Sequence, residues 1–256
     1  MNRDVVRQIT NIVAVIATII VNVLSNVLPF NDLTTGEISD RFQVVFVPAG
    51  YVFSIWGVIY LGMIAFAVYQ ALPAQRENPR LRRVGYLFAL SGLANMAWLF
   101  LWHYEQFTWT LVAMFTLLAL LILIYLRLEI GQNRVPAAET LMIRVPISIY
   151  LGWITVATIA NVTQVLYYWG WSGWGISGEV WAVILLAVAT ALSAAMIFTR
   201  DDIAYLLVIT WSVIGVAVKQ ADSPLVATAA WIAAGAIVLL LVAGTLARRR
   251  TSLKPA

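Results

Sequence analysis

Apolar residues run along this chain in long blocks, interrupted by short polar segments. The blocks fall near 8–28, 50–72, 84–103, 107–126, 146–168, 180–198, 203–218 and 225–246. A helix needs about 20 mostly apolar residues to cross a bilayer core. The pattern therefore predicts eight membrane spans, with the seventh the shortest. The breaks carry turn chemistry: "LPAQRENPRLRR" follows the second block and "GQNRVPAAE" separates the fourth from the fifth. "DSP", from Asp222 to Pro224, predicts a helix start with Ser223 as N-cap and Pro224 at the first helical position. The first block reads as a span and not as a signal peptide, because its apolar run is too long and no small-residue cleavage site follows it.

Within the blocks, positions three, four and seven apart share a helix face. Asn11, Thr18, Asn22, Ser25 and Asn26 form a polar stripe on the first span, which must face protein or water. Phe53, Trp56, Tyr60, Met63 and Ala67 share a face of the second span, and Ser91, Asn95, Trp98 and Trp102 one of the third. Tyr150, Trp153, Ala157, Asn161 and Gln164 share one of the fifth. These aromatic and amide faces lie at similar depths in the outer half of the membrane. An apolar cavity with a few polar anchors is the usual form of a small-molecule site, and aromatic walls suit a flat ligand. Helix packing and interhelical hydrogen bonds account for the same pattern. The sixth and eighth spans carry small-residue strings, "AVATALSAAM" and "ATAAWIAAGAIV", which permit close helix contact within the chain or in a homodimer.

Composition strengthens the membrane assignment. Charged residues make up 11% of the 256 and mean hydropathy is +0.89, whereas soluble domains carry about 25% charged residues. The net charge of +4 does not point to nucleic acid, because the basic residues sit in short loops. With the N-terminus inside, only Arg41 and Lys219 of the 16 Lys and Arg residues fall outside, which places both termini on the cytoplasmic side of an inner membrane. The segment "PFNDLTTGEISDRFQVVFVPAG" is long enough for a lid, and "YYWGWSGWG" reads as an interfacial aromatic belt.

Several classes of chemistry find no residues. There is no cysteine and one histidine, His103, so no metal site is expected. No acidic or basic side chain falls in the middle of a span, which argues against proton pumps, ion-coupled transporters and voltage sensors. Lys219 lies at the end of the seventh span and reads as a snorkelling or loop lysine. Trp102 and His103 end the third span, where interfacial anchoring explains them as well as a site does.

Three spaced motifs, "PAGYVFSIWGVIYLGM" from Pro48, "NMAWLFLW" from Asn95 and "YLGWITVATIAN" from Tyr150, resemble those of the TspO/MBR family of tryptophan-rich sensory or translocator proteins. "PAGYVFSIWGVIYLGM" resembles its signature after the first loop through Pro48, Tyr51, Trp56, Tyr60 and Met63. "NMAWLFLW" resembles a second motif through Asn95, Ala97, Trp98, Leu101 and Trp102, and "YLGWITVATIAN" a third through Tyr150, Trp153, Ala157 and Asn161. The family's double Pro is Val47-Pro48 here, and the Pro before the fifth-helix Tyr is Ile149. The resemblance covers roughly residues 5–170. It implies an all-α polytopic bundle, with a five-helix TspO-like part at 1–170 and three additional transmembrane helices with a basic cytoplasmic tail at 171–256.

What the resemblance implies about function is binding of a porphyrin such as protoporphyrin IX, or of another hydrophobic planar or sterol-like molecule, with no resident cofactor or metal. The expected ligand-binding residues are Pro48, Tyr51, Phe53, Trp56, Tyr60, Asn95, Trp98, Tyr150, Trp153, Ala157 and Asn161. Asn95 and Asn161 would donate hydrogen bonds to the ligand or to neighbouring helices, and Phe30 to Gly50 would cover the pocket. The alternatives are light-dependent porphyrin breakdown through Trp56 and Trp153, and carriage of a lipophilic metabolite.

Overall fold

The structure is a computed structural model that describes residues 2–28 and 30–252. Lys254 of the basic tail lies outside the described residues. In chain order the helices are α1 (Arg3–Val27), α2 (Thr35–Asp40), α3 (Ile55–Ala71), α4 (Pro79–Val84), α5 (Leu87–His103) and α6 (Phe107–Arg127). They continue with α7 (Ala137–Glu139), α8 (Val145–Tyr168), α9 (Gly178–Arg200), α10 (Ile203–Lys219) and α11 (Pro224–Ser252). A π-helical turn, Thr140–Arg144, joins α7 to α8. Six helical segments are long and apolar enough to cross a membrane, while α5 and α10 are apolar helices of 17 residues. The chain is an integral membrane protein with an all-helical bundle fold.

Helix α1 shows how the pattern becomes packing. Its buried positions include Asn11, Thr18, Asn22 and Ser25, whereas Ile9, Val13, Ile16 and Ile20 are exposed. That is the reverse of a soluble amphipathic helix: the apolar side meets lipid and the amides meet protein. The side chains of Gln8 and Gln70 each donate to the other's backbone carbonyl, at 2.6 and 3.0 Å, and Asn11 donates to the Gly85 carbonyl at 3.2 Å. Asn26, the last member of the stripe, is exposed at the helix end.

Five helices close into a ring, with neighbours in the order α1, α3, α8, α6, α5 and back to α1. Gly92 lets α5 lie close to α1: an added Cβ there would lie 2.6 Å from the Thr18 hydroxyl. Helices α9, α10 and α11 pack on one another, and α10 docks against α8. Helix α10 also packs on the 3-10 turn Gly50–Ser54 at Gly215, where a Cβ would meet the Val52 side chain at 2.2 Å. Helix α11 begins at Pro224 as expected, but the hydroxyl of Ser223 donates to Glu179 at 2.6 Å.

The loops opposite the lid are stapled by paired charges. Arg80 grips Glu139 with two bonds of 2.6 and 2.7 Å, Arg82 pairs with Asp4, and Arg83 with Glu129. Buried Arg7 and Arg144 donate to backbone carbonyls at Arg76, Asn133 and Leu128.

Candidate functional site

The aromatic faces of α3, α5 and α8 converge inside the ring, beneath the segment between α1 and α3. The Trp56 ring stacks on Tyr60 at 5.7 Å and lies edge-on to Trp153 at 6.2 Å and to Tyr150 at 6.0 Å. Phe53 meets the Trp153 ring at 5.6 Å, and Trp98 stacks on Trp102 at 5.3 Å. Spacing of three and four residues on each helix brings these rings to one side, and the ring of helices brings the three sides together.

Amides tie the walls. Asn95 accepts from the Asn22 amide at 2.7 Å, so its burial is answered by α1. Asn161 accepts from the Trp98 indole at 3.3 Å and donates to the Thr110 hydroxyl at 3.0 Å, joining α8 to α5 and α6. Replacing Asn161 with Leu removes both bonds and leaves the Trp98 N–H without its partner. The expected cost is about 1–3 kcal/mol, read as a lower midpoint of thermal unfolding in detergent. An unchanged midpoint would show that the Asn161 bonds add nothing to the fold.

The lid is ordered by its own sequence. Thr34 and Glu37 form a reciprocal capping box, with the Thr34 N–H and hydroxyl donating to the Glu37 carboxylate at 2.7 and 2.8 Å. Ile38 buries itself beside Trp102, Phe107 and Val165. Phe42 packs on Trp102 and Phe107 at 5.7 and 4.9 Å. His103 Nδ1 donates to the Phe30 carbonyl at 3.0 Å, so Nε2 is the acceptor for the Thr35 hydroxyl at 3.1 Å. The Trp102 indole donates to the Thr35 carbonyl at 3.2 Å, and Gln164 donates to Ser39 at 2.8 Å. Trp102 and His103 are 1% and 0% exposed. Interfacial anchoring is therefore not their role; they hold the lid.

The bonds from Thr34 hold the Glu37 carboxyl below the usual glutamate range. A depressed folded value means that the capping box stabilises α2 above the unfolded glutamate pKa, and that this is lost as pH falls through the folded value. A nitroxide at Gly36→Cys, where a side chain meets open space, should therefore gain mobility on acidification. The same label with Glu37→Gln should show a much smaller change. Equal pH responses in the two would rule out the capping box as the cause.

Beneath the lid lies a cavity of about 50 Å³. Pro48, Phe53, Trp56, Asn95, Trp98, Trp153, Ala157 and Asn161 line it, together with Thr35, Ser39, Trp102, Met114, Leu117 and Gln164. Every lining side chain is uncharged. One donor on its wall stands out. The Trp153 indole N–H is buried and makes no hydrogen bond among the described residues. A buried donor without a partner costs about 1–3 kcal/mol, and Trp153 lines the cavity.

A family model described as TSPO-like protein matches residues 8–243. The chain belongs to the TSPO-like family. The match runs through α9 and α10 and most of α11 as well as the ring. Neither the search of curated proteins nor that of solved structures returns a match. Within this TSPO-like chain, eight of the expected site residues line the cavity and three do not. Tyr60 and Tyr150 stand behind Trp56 as a second layer. Tyr51 is exposed and meets Trp211 of α10 at 5.2 Å, away from the cavity.

Residues from α2 and α6 complete the walls. Met114 and Leu117 of α6 carried no signal, because that helix is apolar all round. Thr35 and Ser39 of α2 could have been found from the "TTGE" capping signature, which marks a helix start inside the lid.

Proposed function

We propose that this TSPO-like protein binds a planar hydrophobic ligand, porphyrin-like in class, in the tryptophan-lined cavity beneath the lid, and acts as a sensor of it. The observation that carries this reading is the buried, unpaired Trp153 indole N–H at the wall of the cavity. The stacked and edge-on rings beside it favour a flat partner.

At about 50 Å³ the cavity is far below the roughly 300–1,000 Å³ of a ligand pocket. A macrocycle therefore enters only when the lid and the segment after it move. No cation lines the cavity, so the acid groups of a porphyrin would stay at the lid face, where Arg41 and Lys219 pair with Glu105 and Asp40. We read all eight apolar helices as spanning a bacterial inner membrane, with both termini on the cytoplasmic side. At about 1.5 Å per residue, α5 and α10 are short for a span, and their packing among longer neighbours supports the reading.

The test is titration of the purified protein with protoporphyrin IX in the dark, followed by tryptophan quenching and the porphyrin absorption band. Saturable binding with one site per chain is the expected result. A linear, non-saturating response would overturn the porphyrin assignment. Bleaching of the bound porphyrin under light would add breakdown to binding, with the adjacent Trp56 and Trp153 rings as the first residues to replace.

A further inference from the structure

A second, larger recess lies on the flank of the ring. Helix α9 packs on α10 and α11, and between α9 and α8 runs a groove of about 730 Å³. Ile159 and Val162 of α8, Ala182 and Leu185 of α9, and Val44 and Phe46 before α3 form its walls. No charged side chain lines it. The two threonines of the α8 wall have turned inward: Thr158 donates to the Ile154 carbonyl at 2.6 Å and Thr163 to the Ala160 carbonyl at 2.8 Å. From Thr158 to Leu166 the wall therefore offers hydrocarbon and no free hydroxyl hydrogen, and the remaining polar side chains of the lining are Tyr167 and Ser172 next to the turn and Gln43 before α3.

The end of the groove differs. The turn between α8 and α9 brings Trp171, Trp174 and Trp181 together, with ring centroids 5.3 to 6.0 Å apart. Trp181 uses its indole N–H on the Gly173 carbonyl at 3.0 Å. The indole N–H groups of Trp171 and Trp174 make no hydrogen bond among the described residues. Trp174 sits at φ 56, a conformation bulky residues rarely adopt, and is 78% exposed. An uncharged apolar trough that ends in two free N–H donors matches a molecule with a hydrocarbon body and oxygen acceptors at one end. Tryptophan favours the headgroup level of a bilayer, where lipid ester oxygens lie.

We propose that this groove is a lipid site, holding one acyl chain of a membrane phospholipid with its ester oxygens at Trp171 and Trp174. Its volume is in the range of small-molecule sites, roughly 300–1,000 Å³. The site adjoins the central cavity through one stretch of backbone. Val44 to Phe46 face the groove and the next two residues, Val47 and Pro48, face the cavity. An acyl chain in the groove thus backs the cavity wall from the lipid side, and does so whatever the cavity itself binds.

The test reconstitutes the full chain in vesicles of phosphatidylcholine doped with phosphatidylcholine bearing a diazirine on one acyl chain. After irradiation, adducts are mapped by mass spectrometry of peptides. The expected yield on residues 158–166 and 181–185 is several times that on the lipid-exposed side of α1 around Val13, Ile16 and Ile20. Val162→Phe and, separately, Ile159→Phe fill the groove and should bring that yield down to the α1 level, while the α1 yield itself stays constant as a check of folding. Trp171→Phe with Trp174→Phe removes both donors and should lower phospholipid retained through purification about tenfold. Equal labelling of the groove and α1 in the unaltered protein, or groove labelling indifferent to both filling variants, would overturn the proposal.

Discussion

Fastening the lid to α10 should abolish ligand uptake, and cutting the fastening should restore it. The chain contains no cysteine, so Asp40→Cys with Lys219→Cys creates a unique pair. The native side chains already meet at 2.8 Å. A bismaleimide with a disulfide in its linker joins the two thiols, and reductant cleaves it without touching any other bond in the protein. The reasoning is volumetric. With the lid down the cavity holds about 50 Å³, room for water and little else. Apparent affinity scales with the fraction of molecules that can bind, so crosslinking should lower protoporphyrin IX binding by about 100-fold or more by removing the open fraction. Removing the ion pair without the crosslinker should have the opposite sign, because one restraint on the lid is gone. Undiminished binding by the crosslinked protein would mean that the ligand enters by another route or binds elsewhere.

The helices were plain in the sequence because hydrocarbon imposes length and composition on every span. The polar stripe of α1 and the aromatic faces of α3, α5 and α8 were plain as well, since one helix turn fixes which residues look the same way. The lid was harder. Its contacts with His103, Trp102 and Gln164 join residues far apart in sequence, and nothing local distinguishes a lid latch from an interfacial anchor. Burial decided it. The same limit hid the partner of Asn95: the amide spacing predicted a partner, but only the α1–α5 crossing showed it to be Asn22.

The last three helices were legible as helices and silent in role. In the structure α10 holds the segment on either side of Pro48. Gly215 accepts from the Ala49 N–H at 3.0 Å, Gln220 donates to the Val45 carbonyl at 3.0 Å, and Trp211 donates to the Val52 carbonyl at 3.2 Å. All three bonds involve backbone groups of that segment. Side-chain pattern carries no record of them, which is why sequence reasoning left the clamp unseen. Tyr51 illustrates the consequence: it fits a motif by spacing, yet the clamp turns it outward onto Trp211.

The central claim is that the rings of Trp56 and Trp153 form the ligand's walls. Both can be replaced by Phe together, which keeps an aromatic ring in each place and removes the larger indole surface and the unpaired Trp153 N–H. Ring stacking contributes about 0.5–1.5 kcal/mol per pair beyond simple burial, and each 1.4 kcal/mol is tenfold in affinity. The decisive measurement is the dissociation constant for protoporphyrin IX, read from the porphyrin absorption band, of the unaltered protein and of Trp56→Phe with Trp153→Phe at matched thermal stability. An affinity weaker by about tenfold or more in the double variant is the predicted result. An unchanged dissociation constant would contradict the claim and place the ligand away from this cavity.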